Sequence, residues 1–386
     1  MIKEASRLEL VQEYYFSRKL LQIAEMRNAG NPVINLGIGS PDLKPSQESI
    51  DRLYQVANQD NAHGYQSYRG IPALRDAIAK YYKSTYNVDA DTATEILPLI
   101  GSKEGIMHIS MAFIDPGDEV LIPNPGYPTY QSANLLAGAK IRYYDLEESR
   151  NWEIDFEKLE NQNLSKVKIL WLNYPNMPTG SDASDDFFGK LIQFAKAKNI
   201  LICNDNPYSM VLNPNPKSLL KFDPKKEYSL ELNSLSKSHN MAGWRLGYII
   251  ANKSYINSVL KFKSNMDSGI FLAMQEAAIV ALQNDAQWHA QRNEIYKNRR
   301  TLVYDILDHL GCKYDKNQVG MFIWAKIPDL AISSEDFSEN ILQKAHVFMT
   351  PGFIFGSNGE RYVRISLTNT ESDFIESLKR IKTIIK

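Results

Sequence analysis

Short apolar runs recur along the middle of the chain and predict the strands of a sheet. The predicted strands cover 95–100, 118–123, 167–172, 200–203, 228–232 and 245–250. The run at 200–203 is continuously apolar, which is typical of a strand that helices cover on both faces. The pattern therefore predicts an α/β protein built on a mostly parallel sheet.

Amphipathic stretches at helical spacing lie between and after these strands. The predicted helices cover 8–28, 74–82, 106–113, 187–198, 256–262 and 272–310. Asn284 and Asp285 break the last helix, and its Arg299-Arg300 pair is typical of solvated helix surface. Further on, short strands at 321–325, 347–350 and 362–366 alternate with helices at 334–345 and 370–385, which predicts a small α+β unit.

The chain has 386 residues, more than one small core requires, so we expect two domains. The larger one, with the sheet, is predicted at 46–275. The smaller one is predicted at 276–386, and we expect residues 1–45 to join it.

The amino-acid composition and net charge disfavour several classes of function for this chain. Apolar residues make up 44% and charged residues 23% of the chain, as in ordinary globular proteins, and the net charge of −1 gives no reason to expect nucleic acid or a membrane as partner. Cys203 and Cys312 cannot build a disulfide framework, and no Cys/His cluster has metal-ligand spacing. No signal peptide is expected at the N-terminus and no apolar run reaches the length of a membrane span, so we predict a cytoplasmic protein.

Two cations stand eight residues apart in the segment 234–248. Lys237 comes just after the strand predicted at 228–232, at the edge where open α/β sheets bind ligands. A lysine near apolar walls and a second cation loses its proton more easily, and a neutral amine attacks carbonyl groups. Arg245 offers a fork of donors that suits phosphate. An amine beside a phosphate clamp is what an enzyme using pyridoxal phosphate needs.

Other predicted strand ends carry complementary groups. Ser102 and Lys103 lie between the strand at 95–100 and a helix, where free N–H groups and the helix dipole favour an anion. Asp205 ends the buried strand at 200–203, where a carboxylate is costly unless it meets a cation such as a protonated pyridine nitrogen. Tyr127, in a Pro-Gly-Tyr-Pro loop, could pack on a flat heterocycle.

These segments resemble the class I/II aminotransferases of the aspartate aminotransferase fold type. The matching patterns are Gly-x-Gly-x-Pro-Asp at 37–42, Tyr-x-x-x-x-Gly-x-x-x-Leu-Arg at 65–75, Ser-x-Ser-Lys at 234–237 and Gly-x-Arg-x-Gly-Tyr at 243–248. The resemblance implies fold type I, with a seven-stranded, mostly parallel sheet between helices and a small α+β domain formed by both termini. It also implies pyridoxal 5'-phosphate as cofactor and a homodimer with shared active sites.

The resemblance assigns roles to particular residues. The implied catalytic residues are Lys237, Asp205 and Tyr208. The implied cofactor-binding residues are Ser102, Lys103, Tyr127, Asn176, Asp205, Tyr208, Ser234, Ser236, Lys237 and Arg245, with Tyr65 reaching the phosphate of the neighbouring subunit. The implied substrate-binding residues are Tyr14, Gly39 and Arg364, with Arg361 as a nearby alternative to Arg364.

One position departs from the family. The family usually has Asn-Pro-Thr-Gly with an asparagine that donates to the ring oxygen of the cofactor, whereas this chain has Met177 there. Methionine cannot donate a hydrogen bond. Asn176 lies one residue before the position of that asparagine. We therefore expect Tyr208 to provide more of the hydrogen bonding to the ring oxygen.

The implied activity is transfer of an amino group from an L-amino acid to a 2-oxo acid such as 2-oxoglutarate. The sequence segments 101–106, 172–176 and 263–269 resemble those of the shorter bacterial form of LL-diaminopimelate aminotransferase, which makes LL-diaminopimelate one candidate donor. Methionine, aromatic and aspartate-type donors stay open, as does a C–S β-lyase of the same fold. A non-enzymatic pyridoxal-binding regulator is disfavoured because the chain carries no basic DNA-binding arm, and a structural protein with a dead site is a further alternative.

Overall fold

The computed structural model describes residues 2–384, which fold around one large sheet with two smaller sheets beside it. Among these residues the strands are β1 (Ile34–Asn35), β2 (Ile96–Leu99), β3 (Glu119–Asn124), β4 (Lys140–Asp145), β5 (Val167–Leu172), β6 (Leu201–Asp205), β7 (Ser229–Ser234), β8 (Gly247–Ile250), β9 (Lys313–Tyr314), β10 (Phe322–Lys326), β11 (Val347–Phe348), β12 (Thr350–Pro351) and β13 (Tyr362–Ser366). The α-helices are α1 (Tyr15–Asn28), α2 (Gln47–Ala57), α3 (Pro72–Tyr86), α4 (Ser102–Phe113), α5 (Pro128–Leu136), α6 (Phe156–Glu160), α7 (Asp185–Lys198), α8 (Leu235–Ser238), α9 (Lys253–Lys263), α10 (Leu272–Ala281), α11 (Ala286–His309), α12 (Ser334–Ala345) and α13 (Glu371–Ile384).

The large sheet has seven strands in the order β2-β8-β7-β6-β5-β3-β4. Strand β8 runs antiparallel to both of its neighbours, and the other paired strands are parallel. Side chains alternate between two cores: Leu230 and Leu232 of β7 pack with Ile109 of α4, whereas Tyr248 and Ile250 of β8 belong to the core on the opposite face. The sheet is thus buried on both sides, as its apolar strands predict. The predicted fold class is confirmed.

Polar side chains at the helix starts account for several boundaries. Ser184 accepts a hydrogen bond from the N–H of Phe187 at the start of α7, and Asn252 does the same for Tyr255 at the start of α9. Asp285 caps α11 in this way, so the predicted break at 284–285 is where one helix ends and the next begins. None of the helices in residues 2–384 is long and apolar enough to cross a membrane.

Both ends of the chain meet beside the large sheet. Strand β1 pairs in parallel with β11, with Ile34 opposite Val347, and β12-β13-β10-β9 form a four-stranded antiparallel sheet. Helices α12 and α13 pack together beside these strands. The division into 1–45, 46–275 and 276–386 stays a prediction. Met1 and the last two residues, including the predicted helix end at Ile385, lie outside the described residues.

Three local predictions were wrong. The helix predicted at 8–28 is a 3₁₀ turn at Ser6–Leu10 followed by α1, because Tyr14 takes a non-helical conformation before α1 begins. The strand predicted at 245–250 begins at Gly247, because Arg245 has a left-handed φ of 54°. Arg299 is buried rather than solvated, because it binds both carboxylate oxygens of Asp42 at 2.7 Å. Helices α2, α5, α6 and α8 and strands β4 and β9 were not predicted.

Candidate active site

A cavity of about 560 Å³ opens where β6 and β7 end, between the large sheet, the N-terminal segment and the four-stranded sheet. It brings together most of the predicted site residues. Those that line it are Tyr14, Gly39, Ser102, Lys103, Tyr127, Asp205, Tyr208, Ser234, Ser236, Lys237, Arg245 and Arg364. Asn176 and Tyr65 are absent from this set.

Lys237 is placed by the short helix α8, which follows β7 directly. Ser234 caps this turn by accepting the N–H of Ser236 at 3.1 Å. The Nζ of Lys237 donates to the carbonyl oxygen of Gly39 at 2.5 Å, which ties the lysine to the N-terminal segment. Burial, and then the charges of Arg364 and Arg245, lower the pKa of Lys237 to about 8. At pH 7 roughly a tenth of the amine is therefore neutral and able to act as a nucleophile.

Arg245 lies against the start of α4. Its Nη1 donates to the carbonyl of Ala242 at 2.9 Å and lies 3.4 Å from the Oγ of Ser236. Gly101 has a φ of 88°, and a Cβ at this position would lie 2.1 Å from the Nη2 of Arg245. The absent side chain therefore makes room for the guanidinium. A guanidinium, two hydroxyls and the N–H groups that begin α4 at Ser102 form a site for a phosphate-sized anion.

Asp205 ends β6 as a buried carboxylate that is only half satisfied. Its Oδ2 accepts from the hydroxyl of Tyr130 at 3.1 Å, whereas its Oδ1 is buried without a hydrogen-bond partner among the described residues. Burial raises the pKa of Asp205 to about 7; the hydrogen bond from Tyr130 opposes this shift and the charge of Glu231 adds to it. The free oxygen is suited to a protonated ring nitrogen.

Arg364 extends from β13 into the same cavity and is enclosed by aromatic rings. Its guanidinium carbon lies 3.9 Å from the ring centre of Phe322 and 4.8 Å from that of Phe355. Nη2 donates to the carbonyl of Gly37 at 2.8 Å, Nη1 contacts the Sδ of Met177 at 3.1 Å, and Nε is buried without a partner among the described residues. Burial lowers the pKa of Arg364 to about 10. A carboxylate that replaces the weak thioether contact would pair with this cation.

The sequence left open whether Arg364 or Arg361 binds the substrate, and the two arginines lie in different surroundings. Arg361 donates to the carbonyls of Ala331 and Pro328, both at 2.7 Å, and does not line the cavity. Arg364 is therefore the one positioned for a ligand.

Three tyrosines surround the space between these charged groups. Burial raises the pKa of Tyr14, Tyr127 and Tyr208, so all three hydroxyls stay protonated at neutral pH. The Nζ of Lys103 lies 4.6 Å from the ring centre of Tyr14, a cation–π distance. The tyrosines supply flat apolar walls with hydroxyl groups at their ends.

Two predicted site residues point elsewhere. The Oδ1 of Asn176 accepts from the N–H and hydroxyl of Thr179, and its Nδ2 donates to the carbonyl of Asn173, so its side chain builds the turn instead of facing the cavity. Met177 takes the place beside the cavity. Tyr65 is 93% exposed and lies outside the cavity of its own chain.

Several lining residues were missed by the sequence reasoning. They are Phe16, Ser17, Leu20, Ile38, Tyr130, Asn173, Pro207, Ala242 and Phe322. Asn173 follows β5 directly, so its position after a buried strand was a usable signal. Phe322 and Leu20 carried no such signal, because they lie on distant elements that only the fold brings to the cavity.

A second group of polar residues lies beside α4, outside the cavity. Ligand atoms of Glu104, His108 and Asp267 come within 4.8 Å of one another. However, the Nζ of Lys263 lies 2.8 Å from Asp267 and already supplies a positive charge there. The expectation of no metal stays a prediction.

The fold and the cavity together define a class. A mostly parallel seven-stranded sheet, with a lysine after one strand and an arginine and a carboxylate facing the same cavity, is the arrangement of fold type I, the fold of a large class of pyridoxal-phosphate-dependent enzymes.

Comparison with known proteins identifies the family. The model of the family "Aminotransferase class I and II" matches residues 31–381, and the chain belongs to this family of amino-group-transferring enzymes, which depend on pyridoxal phosphate in general. The chain is 39% identical to LL-diaminopimelate aminotransferase of Dehalococcoides mccartyi over 98% of both chains. It resembles the substrate-bound structure of BacF from Bacillus subtilis with a TM-score of 0.95 and 35% identity, over 100% of this chain and 98% of the other. It resembles a Thermus thermophilus aspartate aminotransferase mutant with a TM-score of 0.92 over 100% of both chains, and at 23% identity that likeness concerns the fold alone.

Proposed function

We propose that this chain binds pyridoxal 5'-phosphate and uses it to move an amino group from an L-amino acid to a 2-oxo acid. One observation carries the proposal: Asp205, the Lys237 and Arg245 pair, and Arg364 line the same cavity although they come from three separate segments of the chain. An amine, an anion site, a half-satisfied carboxylate and a second arginine are the groups that such a cofactor and an amino acid require.

The phosphate end of the cofactor fits the start of α4. Arg245, Ser236 and Ser102 converge there, and Gly101 leaves the guanidinium room that a side chain would take. Ser234 holds the turn by bonding Ser236 at 2.9 Å. Lys103 adds a further positive charge. This end of the cavity would neutralise the phosphate dianion.

The ring end fits the space between Tyr127, Tyr208 and Asp205. The unpartnered Oδ1 of Asp205 would accept a hydrogen bond from the protonated pyridine nitrogen, and the positive charge of that ring would stabilise the ionised carboxylate. Tyr208 would donate to the ring oxygen. When bound, pyridoxal phosphate supplies an aldehyde for amines and a ring that accepts electrons from the substrate Cα.

The remaining residues act on the substrate. Arg364 binds its α-carboxylate through Nη1, which contacts the weakly accepting sulfur of Met177, and through Nε, which has no partner among the described residues. Gly39 lines the same cavity, and the absence of a side chain there leaves room for the ring of Phe322, which a Cβ would approach to 2.2 Å. Lys237, whose pKa burial and the charges of Arg364 and Arg245 lower to about 8, removes the proton at the substrate Cα in its neutral form and later returns it as general acid. The three tyrosine rings and Phe322 keep water away from that proton.

Replacing Met177 by asparagine should strengthen cofactor binding. Met177 is 5% exposed and lines the cavity, so an amide there could donate the hydrogen bond that the thioether cannot. One hydrogen bond of about 1 kcal/mol predicts an approximately fivefold lower Kd for pyridoxal phosphate, measured by fluorescence titration of the cofactor-free protein. Met111→Asn, on the outer part of α4, is the control and should leave the Kd unchanged. Equal Kd values for Met177→Asn and the unsubstituted protein would count against the ring-oxygen contact.

We also infer a homodimer whose partner completes each site. Tyr65 is almost fully exposed, and the nearby Met266 and Phe271 are 51% and 40% exposed. These segments adjoin each other, because His63 stacks on Phe271 with ring centres 5.7 Å apart. An exposed aromatic patch of this kind is suited to a second copy, which would bring the hydroxyl of Tyr65 to the neighbouring phosphate. A cytoplasmic location remains a prediction from the sequence.

Removing the hydroxyl of Tyr65 tests this shared site. Tyr65→Phe should raise the Kd for pyridoxal phosphate by about tenfold or more, because a hydrogen bond to a charged group is lost. Light scattering should give the mass of two chains for both proteins. Tyr54→Phe, at another exposed tyrosine, is the matched control. A single-chain mass, or an unchanged Kd for Tyr65→Phe, would contradict the inference.

The reaction itself is tested by stoichiometry. An aminotransferase should release one 2-oxo acid for each amino acid it forms and should stop when the acceptor is withheld. A C–S β-lyase would release thiol, pyruvate and ammonia without an acceptor. LL-diaminopimelate, the substrate named for the relatives, belongs in the donor panel. Failure to bind pyridoxal phosphate at all would overturn the proposed function.

A further inference from the structure

Lys237 lies in the one-turn helix α8, which is too short to be stable without contacts at both of its ends. At its beginning, the side chain of Ser234 caps the turn, and its carbonyl oxygen accepts the hydroxyl of Ser238 at 3.1 Å. At its end, the carbonyl oxygen of Ser238 accepts a hydrogen bond from Nη1 of Arg292, a residue of α11. The residue next to the reactive lysine is therefore held by a distant part of the chain.

The guanidinium of Arg292 also binds the loop that follows Tyr208. Its Nη2 donates to the carbonyl oxygen of Met210, two residues after Tyr208. The neighbouring Asn293 donates to the same carbonyl at 3.2 Å, so α11 binds this loop through two side chains. Because the other arm of the fork binds Ser238, one guanidinium connects the segment of the reactive lysine to the segment of Tyr208.

The charge of Arg292 has no carboxylate partner among the described residues. The side chain is 3% exposed and its Nε is buried without a hydrogen-bond partner in the same part of the chain. Its acceptors are the two carbonyl oxygens and the Oδ1 of Asn293, and its guanidinium carbon lies 5.5 Å from the ring centre of Trp288. Burial lowers the pKa of Arg292 to about 10. A buried cation without a counter-charge is unfavourable for stability, so the two segments that it connects explain this residue better than stability does.

The placement of α8 matters for the chemistry because proton transfer depends on distance. A general base has to lie within hydrogen-bond reach of the proton that it removes, and a misplacement of about 1 Å can lower a rate by about 100-fold. Lys237 reaches the cavity through a flexible side chain, so its backbone has to supply the fixed point. The carbonyl that Arg292 binds belongs to the next residue along the chain, Ser238.

We propose that Arg292 is a positioning residue for the amine of Lys237. It fixes α8 against the loop after Tyr208 and so holds that amine within reach of the proton at the substrate Cα. The inference rests on the proposed function and adds to it a residue that does not itself line the cavity. Arg292 takes no part in the bonds that form and break, since the proton moves between the substrate Cα and the Nζ of Lys237.

Replacing Arg292 by lysine tests the proposal, because lysine keeps the charge but lacks the fork that joins the two carbonyls. The protein loaded with pyridoxal phosphate is mixed with a donor and no acceptor, so that each site reacts once, and release of the 2-oxo acid is timed. LL-diaminopimelate, L-glutamate and L-phenylalanine are tried, and the fastest donor is used throughout. Arg292→Lys should slow this release by about 10- to 100-fold. A rate equal to that of the unsubstituted protein would overturn the inference.

Arg300→Lys is the matched control on the same helix. Arg300 also donates to a backbone carbonyl, that of Gln318 at 3.2 Å, but it lies outside the cavity and does not contact α8. This variant should release the 2-oxo acid at the rate of the unsubstituted protein. An equal slowing in Arg300→Lys and Arg292→Lys would assign the effect to α11 in general and would contradict the role of the Ser238 contact.

A double substitution distinguishes positioning of the amine from a general structural role. Lys237→Ala should release the 2-oxo acid only slowly, and without the tethered amine the placement of α8 no longer affects proton removal. Adding Arg292→Lys to Lys237→Ala should therefore change this slow rate by less than about twofold. Methylamine in solution should raise both rates equally, because it replaces the missing amine without being attached to α8. A further fall of about tenfold in the double variant would show that Arg292 does not act through Lys237 and would overturn the inference.

Melting temperatures and cofactor loading confirm that each variant is folded. If Arg292→Lys does not fold, Arg292→Gln takes its place, since it removes the buried charge and is too short to join both carbonyls; the same results are expected. A normal rate in the folded variant would overturn this inference alone. Absence of pyridoxal phosphate binding, or of release from every donor, in the unsubstituted protein would instead count against the proposed function.

Discussion

Replacing Lys237 by alanine should abolish covalent attachment of pyridoxal phosphate and reduce turnover by about 10⁴-fold, because the same amine holds the cofactor and moves the proton at the substrate Cα. The amine is suited to both tasks, since burial and two nearby arginines lower its pKa to about 8. Attachment can be measured directly: borohydride reduction of the loaded protein, followed by peptide mass spectrometry, should locate the cofactor on Lys237.

Lys103 provides the matched control for this experiment. It is the other lysine lining the cavity, and it lies at the start of α4 with its amine over the ring of Tyr14. Lys103→Ala should weaken cofactor binding but leave the covalent attachment at Lys237 intact. If the reduced cofactor were found on Lys103, or if Lys237→Ala kept normal turnover, the assignment of the reactive amine would be wrong.

Replacing Asp205 by asparagine should lower kcat by about 10²- to 10³-fold and stabilise the cofactor-free protein at alkaline pH. The catalytic loss follows because a neutral amide cannot hold a proton on the ring nitrogen. The gain in stability follows because the buried carboxylate has one oxygen without a partner among the described residues, and burial raises its pKa to about 7.

The pH range of this stability effect follows from proton binding. The unfolded chain releases the proton of this carboxyl group near its ordinary pKa of 3.8, whereas the folded chain keeps it until about pH 7. The folded state thus binds more protons between these values, so stability falls as pH rises through this window and stays low above it. Three pKa units correspond to about 4 kcal/mol at most. Asp205→Asn should remove this fall from the melting temperatures of the cofactor-free protein.

Asp223→Asn is the control that distinguishes the effect of an unpartnered carboxylate at Asp205 from the effect of replacing any buried aspartate. Asp223 is 7% exposed, but its Oδ2 accepts from the N–H of Tyr228 at 2.8 Å and the hydroxyl of Ser229 at 2.9 Å. Asp223→Asn should therefore lower the melting temperature and keep catalytic activity. Identical pH profiles of melting for Asp205→Asn and the unsubstituted protein would contradict the view of Asp205 as an uncompensated carboxylate.

Much of the fold could be predicted from the local pattern of apolar and polar residues. Strands β5 and β13 and helix α12 lie at the predicted residues, because apolar periodicity and a serine cap at the start of α12 are local signals. Helix α5 and strand β4 were missed. The first is short and begins within a proline-rich loop, and the second lies at the edge of the sheet, where half its residues are polar.

The candidate site was predictable where a motif and a strand end coincide. Asp205 is the last residue of the buried strand β6, and Lys237 lies in the short helix that follows the buried strand β7. The sheet itself therefore places both residues at one edge. Asn176 shows the limit of this reasoning, because a hydrogen-bonded turn with Thr179 directs its side chain away and leaves Met177 beside the cavity.

The sequence by itself determined the α/β class, the parallel strands and the residue types available for chemistry, because periodicity and turn residues act over a few neighbouring positions. Only the tertiary structure decided which distant side chains share a volume. It placed Arg364 rather than Arg361 in the cavity, paired Arg299 with Asp42, and brought Phe16, Leu20 and Phe322 to the wall of that cavity. The physical reason is that burial and charge pairing depend on how separate segments pack, and no short stretch of sequence contains both partners.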